Sequence, residues 1–150
     1  MTMPLVPPPL LALGAGLAQH LLVRRRGPSA SSVVAAGLIG SASFGLAASA
    51  ASGFRRRGTT LHPQEPEQAS VLVTDGPNRL TRNPMYLGLA GVLLAHATLR
   101  RSWPALVPVG VFVVLIDRVQ IRAEEAALHG RFGSTYDDYC SRVPRWLGRA

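Results

Sequence analysis

The chain has 150 residues, enough for one domain; 47% are hydrophobic and only 16% charged, against about 25% charged in soluble domains. All 16 basic residues are arginine and face 8 acidic ones, a net charge of +8. The mean hydropathy is +0.19, so a disordered, highly solvated chain is excluded. The single cysteine, Cys140, excludes a disulfide framework and a cysteine-based zinc site.

Four stretches with few or no charges are the expected membrane spans: residues 4–23, 33–54, 85–99 and 103–117. The first opens on Pro7-Pro8-Pro9, which fit only at or before a helix's opening turn. No positive segment precedes it, and Arg24-Arg25-Arg26 stand where a signal peptide would have a small-residue cleavage site, so it is expected to stay attached. The second has 22 uncharged residues, enough to cross a hydrocarbon core of about 30 Å. Within it Gly37, Ser41, Gly45, Ser49 and Gly53 fall four apart, a ridge expected to let a neighbouring helix approach closely. The third and fourth stretches are short, 15 and 14 apolar residues, and only Arg100, Arg101 and Ser102 separate them. They therefore predict a tight helical hairpin, with both arginines snorkelling and Trp103 at the headgroup level.

Placing the 55–84 connection and the 118–150 tail on the cytoplasmic side puts 11 arginines inside and 5 outside, which predicts both termini inside. The connection is too long for a mere link. Gly58 to Pro63 and Thr74 to Pro77 are turn-rich, and Val71-Leu72-Val73 is a short extended apolar piece.

Specific-looking polar residues concentrate in two places. The first, Gly76 to Gly88, predicts a turn and then a helix with Pro84 in its first turn and Asn83 as its cap. The free N–H groups of that helix start, beside Arg79 and Arg82, suit a carboxylate or phosphate. The second continues the fourth helix into Arg118, Arg122, Glu124 and Glu125, with an Arg122–Glu125 pairing expected at i, i+3. Gly130 to Gly133 should break that helix, and Tyr136 and Tyr139 should share a face of a short second one ending near Val143-Pro144.

Arg82-Asn83-Pro84-Met85-Tyr86-Leu87-Gly88 resembles the R-H/N-P-x-Y-x-G signature of the isoprenylcysteine carboxyl methyltransferase and phospholipid methyltransferase superfamily. Glu124-Glu125, Phe132-Gly133, Tyr136, Tyr139 and Arg142-Val143-Pro144 follow that superfamily's C-terminal pattern in order, and Thr59-Thr60 and Pro63 are similar to bacterial members. The resemblance covers roughly the last 90 residues. It implies an all-α integral membrane bundle of about four helices with a short C-terminal hairpin and a cytoplasmic tail, forming a single domain over residues 1–150. It also implies a methyltransferase using S-adenosylmethionine on a lipophilic acceptor: a prenylcysteine carboxylate, a phospholipid amine or a small hydrophobic metabolite.

On this resemblance the cofactor-binding residues are Arg82, Asn83, Tyr86, Leu87, Gly88, Glu124, Glu125 and Tyr136, and the catalytic ones Arg122 and Glu125. Arg82 suits the carboxylate of the methyl donor, Glu125 or Glu124 its ammonium or ribose, and Tyr86 its adenine or sulfonium. Asn83 stands where many relatives have His and cannot ionise near neutral pH, so it is not expected to act as a base. No metal site and no nucleic-acid partner are expected, because the arginines lie beside spans without a separate basic, aromatic face. Two alternatives exist. One is an NADPH-dependent sterol-reductase-like enzyme, whose C-terminal region is similar; the other is a non-catalytic lipid-binding membrane protein.

Overall fold

The computed structural model describes residues 6–22, 27–56 and 71–149, all helix and connection without a strand among them. Helix α1 (Pro8–Leu22) begins on the second proline of the run, where a missing N–H costs nothing. Helix α2 (Ala30–Arg56) is the longest regular helix, and α3 (Pro84–Arg100) starts at Pro84 as the sequence predicts. After the hairpin turn, a 3-10 turn (Trp103–Ala105) leads into α4 (Leu106–Leu115). A π-helical stretch, Ile116–Ile121, joins α4 without a break to α5 (Arg122–Phe132). Gly133, at φ 52°, ends α5 and opens α6 (Ser134–Arg142). The break thus falls at Gly133 alone, and Gly130 stays helical because only Gly133 must adopt the positive φ.

Two helices, Ala30–Arg56 and Trp103–Phe132, are long and apolar enough to cross a membrane. Their burial is slight, since only 6% of the apolar window in α2 is inside the protein, and Leu38 and Phe44 are exposed. That is the surface of a helix solvated by lipid, where an apolar exterior carries no penalty.

The helices run up and down. Arg100 at the end of α3 donates to the His20 carbonyl near the end of α1 (3.2 Å), and Arg101 donates to the Gly27 carbonyl just before α2 (3.3 Å). The other end of α2 meets the 3-10 turn Gly76–Arg79, which leads through residues 80–83 into α3, so the bundle has a hairpin end and an opposite, polar end. At the hairpin Arg101 takes the left-handed conformation (φ 51°, ψ 43°), reversing the chain in two residues. Trp103 is exposed as an interfacial residue should be, but Arg100 does not snorkel outward: it is buried. Beside it the fully buried Gln19 donates to the carbonyls of Leu93 (3.1 Å) and Ala105 (2.8 Å) and pairs with His96 (2.8 Å). This polar knot ties α1 to both arms of the hairpin, and it accounts for His20 and His96.

The most extensive packing is α2 on α3. The surfaces in contact include Gly40, Ser43 and Ala47 of α2 against Gly88, Gly91 and Ala95 of α3. A β-carbon on Gly88 would stand 2.7 Å from both the Ala47 β-carbon and the Ser43 carbonyl oxygen. The expected ridge is thus corrected: Gly37, Ser41, Gly45 and Ser49 face outward, and only Gly53 is buried. Because α2 is small on nearly every side, its rotation is set by where α3 presents glycine, not by its own repeat. The core of the bundle is Tyr86, Leu93, Phe112, Ile116 and Ile121.

Candidate active site

The polar end collects residues from both sequence clusters. Pro77 and Gly76, the latter at φ 57°, turn the chain into the segment 78–83, which lies against the C-terminal strap 143–146. The Arg82 amide donates to the Pro144 carbonyl (2.9 Å), and the Thr81 hydroxyl and Asn83 amide nitrogen both donate to the Arg145 carbonyl (2.9 and 3.0 Å). Asn83 occupies the cap position of α3 but its side chain does not cap the helix. Instead the side-chain amide is turned toward the strap, its nitrogen donating to the Arg145 carbonyl, and its oxygen makes no cap bond.

Arg82 is the hub. Its guanidinium donates to the carbonyls of Cys140 and Val143 (both 3.2 Å) and to Glu125 Oε1 (2.9 Å). Glu125 is held from the other side by Arg145, through Nε to Oε1 (3.0 Å) and Nη2 to Oε2, and Arg145 also reaches Asp117 (3.4 Å). Trp146 closes the ladder by donating its indole N–H to Asp117 (2.9 Å). Hydrogen bonding to Glu125, against a smaller opposing effect of burial, holds the Arg145 guanidinium even more firmly protonated than usual.

Glu124 sits apart from that ladder. Its Oε1 accepts from the Tyr86 hydroxyl and from Gln120 Nε2 (2.6 Å). Glu124 lies beyond the apolar run that ends at Ile116 and is half-buried. Tyr136 and Tyr139 are buried together, ring centroids 6.2 Å apart, and burial raises both hydroxyls. Tyr139 donates to the Asn78 carbonyl (2.8 Å).

Of the sequence-derived residues, Arg82, Tyr86, Glu124 and Glu125 are brought together, Asn83 borders them, and Tyr136 lies in the aromatic cluster behind Arg82. Gly88 is a packing glycine against α2, and Leu87 lines an apolar cavity of about 360 Å³ between α2, α3 and α4. Leu46, Leu94, Val109 and Leu147 are among the other residues that line it, and Leu147 joins it to the strap that carries Arg145. Arg122 is exposed and stands outside the cluster. The expected Arg122–Glu125 pair is not made: Glu125 turns to the more buried Arg82 and Arg145, whose interactions water screens less.

The sequence alone did not single out Asp117, Gln120, Thr81, Arg145 or Trp146. Gln120 and Glu124 fall at i, i+4, and that spacing was the available signal for Gln120, whereas Asp117 is tied to Arg145 and Trp146 by contacts that no local spacing encodes. Thr59, Thr60, His62, Pro63 and Arg24 to Arg26 lie outside the described residues. No group of three or more metal-ligating side chains occurs among the described residues.

A bundle that is all helix among the described residues, with apolar outer faces and an ion-paired cluster at one end near an apolar cavity, defines the class: an all-α membrane protein. The chain belongs to the phospholipid methyltransferase family, whose model matches residues 31–135, within the isoprenylcysteine carboxyl methyltransferase-like membrane superfamily. It is accordingly a membrane methyltransferase for lipid-like substrates. An uncharacterized protein of Haemophilus influenzae is 38% identical over 63 residues, covering 42% of this chain and all of that protein. No solved structure gives a significant match.

Proposed function

We propose that the protein transfers the methyl group of S-adenosylmethionine to a lipophilic acceptor at the membrane, as a multi-pass protein with both termini cytoplasmic. The observation that carries this reading is the convergence of Arg82 and Tyr86 from α3 with Glu124 and Glu125 from α5 at one end of the bundle. The donor is a zwitterion with a sulfonium, and the cluster offers groups of both signs. Arg82 Nε is buried without a hydrogen-bond partner among the described residues, so a carboxylate arriving there would satisfy an orphaned donor. Glu125 would meet the donor's ammonium, and the buried ring of Tyr86 its adenine or sulfonium. Asn83, Leu87, Gly88 and Tyr136 complete the proposed donor site by shaping it. The apolar cavity beside Leu87 would take the acceptor's hydrocarbon, so that acceptor and donor meet at the polar end. Arg122, exposed on the tail helix, is assigned to the acceptor's approach as part of the same proposal.

The test is calorimetric titration of the detergent-solubilised protein with S-adenosylmethionine and, separately, NADPH. It is paired with methyl transfer from labelled donor into a total lipid extract. The expected result is binding of the first alone, weakened at least about tenfold in Arg82→Ala and in Glu125→Gln, a loss of about 1.4 kcal/mol or more. Unchanged affinity in both variants, or binding of NADPH instead, overturns the assignment.

A further inference from the structure

The segment that leads into α3 alternates sharply between inside and outside. Asn78 is buried, its carbonyl accepting from the Tyr139 hydroxyl (2.8 Å), and Thr81 is fully buried, its hydroxyl donating to the Arg145 carbonyl (2.9 Å). Arg79 and Leu80, between those anchors, are both exposed, Leu80 at 65%. A turn tied at both ends thus projects one cation and one leucine side by side, and the packing of the fold requires neither. The same turn packs on α2, whose last turn carries Arg55 and Arg56, also exposed. Because α2 and α3 are antiparallel with Gly88 against Ala47, these two arginines stand just beyond the start of α3, toward the turn.

The side chains of Arg55, Arg56 and Arg79 make no ion pair or hydrogen bond among the described residues. Asp75, the acidic residue just before the turn, is half-buried. The dipole of α2 favours cations at its end, but it does not account for Arg79 and Leu80. At the hairpin end the arrangement differs: Arg100 is buried and Arg101 donates to the Gly27 carbonyl. Guanidinium groups match the geometry of phosphate oxygens, and an apolar side chain beside them belongs at the boundary of head groups and acyl chains.

We propose that Arg55, Arg56, Arg79 and Leu80 form a binding site for an anionic phospholipid of the surrounding bilayer. The guanidinium groups take its phosphate, and Leu80 lies along the first part of its acyl chain. A soluble anion would have no use for Leu80 or for a seat at the end of a lipid-facing helix. Binding here is independent of methyl transfer, and its readout needs no donor.

The experiment follows the melting temperature of the full chain in bilayer discs of phosphatidylcholine carrying a rising fraction of phosphatidylglycerol. Each variant is read relative to its own value in phosphatidylcholine alone, so lost stability does not mimic lost binding. For wild type the melting temperature should climb and saturate, with a gain that shrinks as salt is raised to about 0.5 M. Half-saturation should need about fivefold more phosphatidylglycerol in each of Arg55→Gln, Arg56→Gln and Arg79→Gln. The triple variant should gain nothing at the fraction that saturates wild type. Leu80→Ser should keep the salt dependence with a smaller gain. A control combining Arg131→Gln, Arg142→Gln and Arg149→Gln loses the same charge and should respond as wild type does. Glycerol phosphate, a head group without chains, should leave the melting temperature unchanged. No gain in wild type, an equal loss of gain in the control, or the full gain from glycerol phosphate overturns the proposal.

Discussion

Arg145 reaches two carboxylates on one continuous helix, Glu125 through Nε and Nη2 and Asp117 through Nη1, while its own carbonyl serves Thr81 and Asn83. Removing its side chain leaves Asp117 and Glu125 partly buried with fewer donors and leaves the backbone contacts in place. Arg145→Ala should therefore destabilise the protein by about 1–3 kcal/mol, read as a lowered melting temperature in detergent. Arg145→Lys should fall between, because an ammonium cannot span Nε and Nη2 geometry on a single carboxylate. Arg82, Tyr86, Glu124 and Glu125 were legible in the sequence, since each belongs to a motif with fixed spacing. Arg145 and Asp117 were not, because their importance comes from a contact across 28 positions that no local pattern encodes. Arg122 shows the converse: its spacing to Glu125 favoured a pair that tertiary partners outcompeted.

Among the elements, the α2–α3 contact has the narrowest tolerance. Gly88 stands where a β-carbon would press on the Ala47 β-carbon and the Ser43 backbone, whereas Gly45 on the same α2 helix has nothing within 4 Å. Gly88→Ala should cost about 1–3 kcal/mol by forcing the helices apart, against a helix-propensity gain below about 1 kcal/mol. Gly45→Ala should be neutral or stabilising by up to about 1 kcal/mol. Both are measured by denaturant titration in the same detergent, and equal effects would contradict the packing described. The sequence showed that α2 was built of small residues but not which side mattered, since Gly, Ala and Ser recur around its whole circumference. The hairpin was legible for a different reason: three residues between two apolar runs leave no other connection.

At the scale of the molecule, the up-and-down order puts Arg79, α5 and α6 at one end and Arg101 with Trp103 at the other. With the proposed orientation, single cysteines in a Cys140→Ser background at positions 79 and 149 should react with an impermeant maleimide only from the cytoplasmic face, and at position 101 only from the outer face. Labelling of position 101 from the cytoplasm would invert the bundle. Where α1 to α4 fall could be read from hydropathy because apolar runs and arginine clusters alternate along the chain. The joining of the two polar clusters could not, for it depends on how the strap 143–146 folds back onto 81–83.

The wide turn at Ile116–Ile121 separates the lipid-facing half of the last long helix from its acidic half. A π-helical stretch holds more residues per turn than the regular helix on either side, so angular positions projected at about 100° per residue from α4 drift progressively before α5 begins. A one-residue deletion there is expected to be absorbed by tightening to ordinary helix, with the carboxylates beyond still meeting Tyr86 and Arg82 and the melting temperature in detergent little changed. A deletion further along, inside Arg122–Phe132, has no such slack and turns the acidic residues beyond it toward solvent.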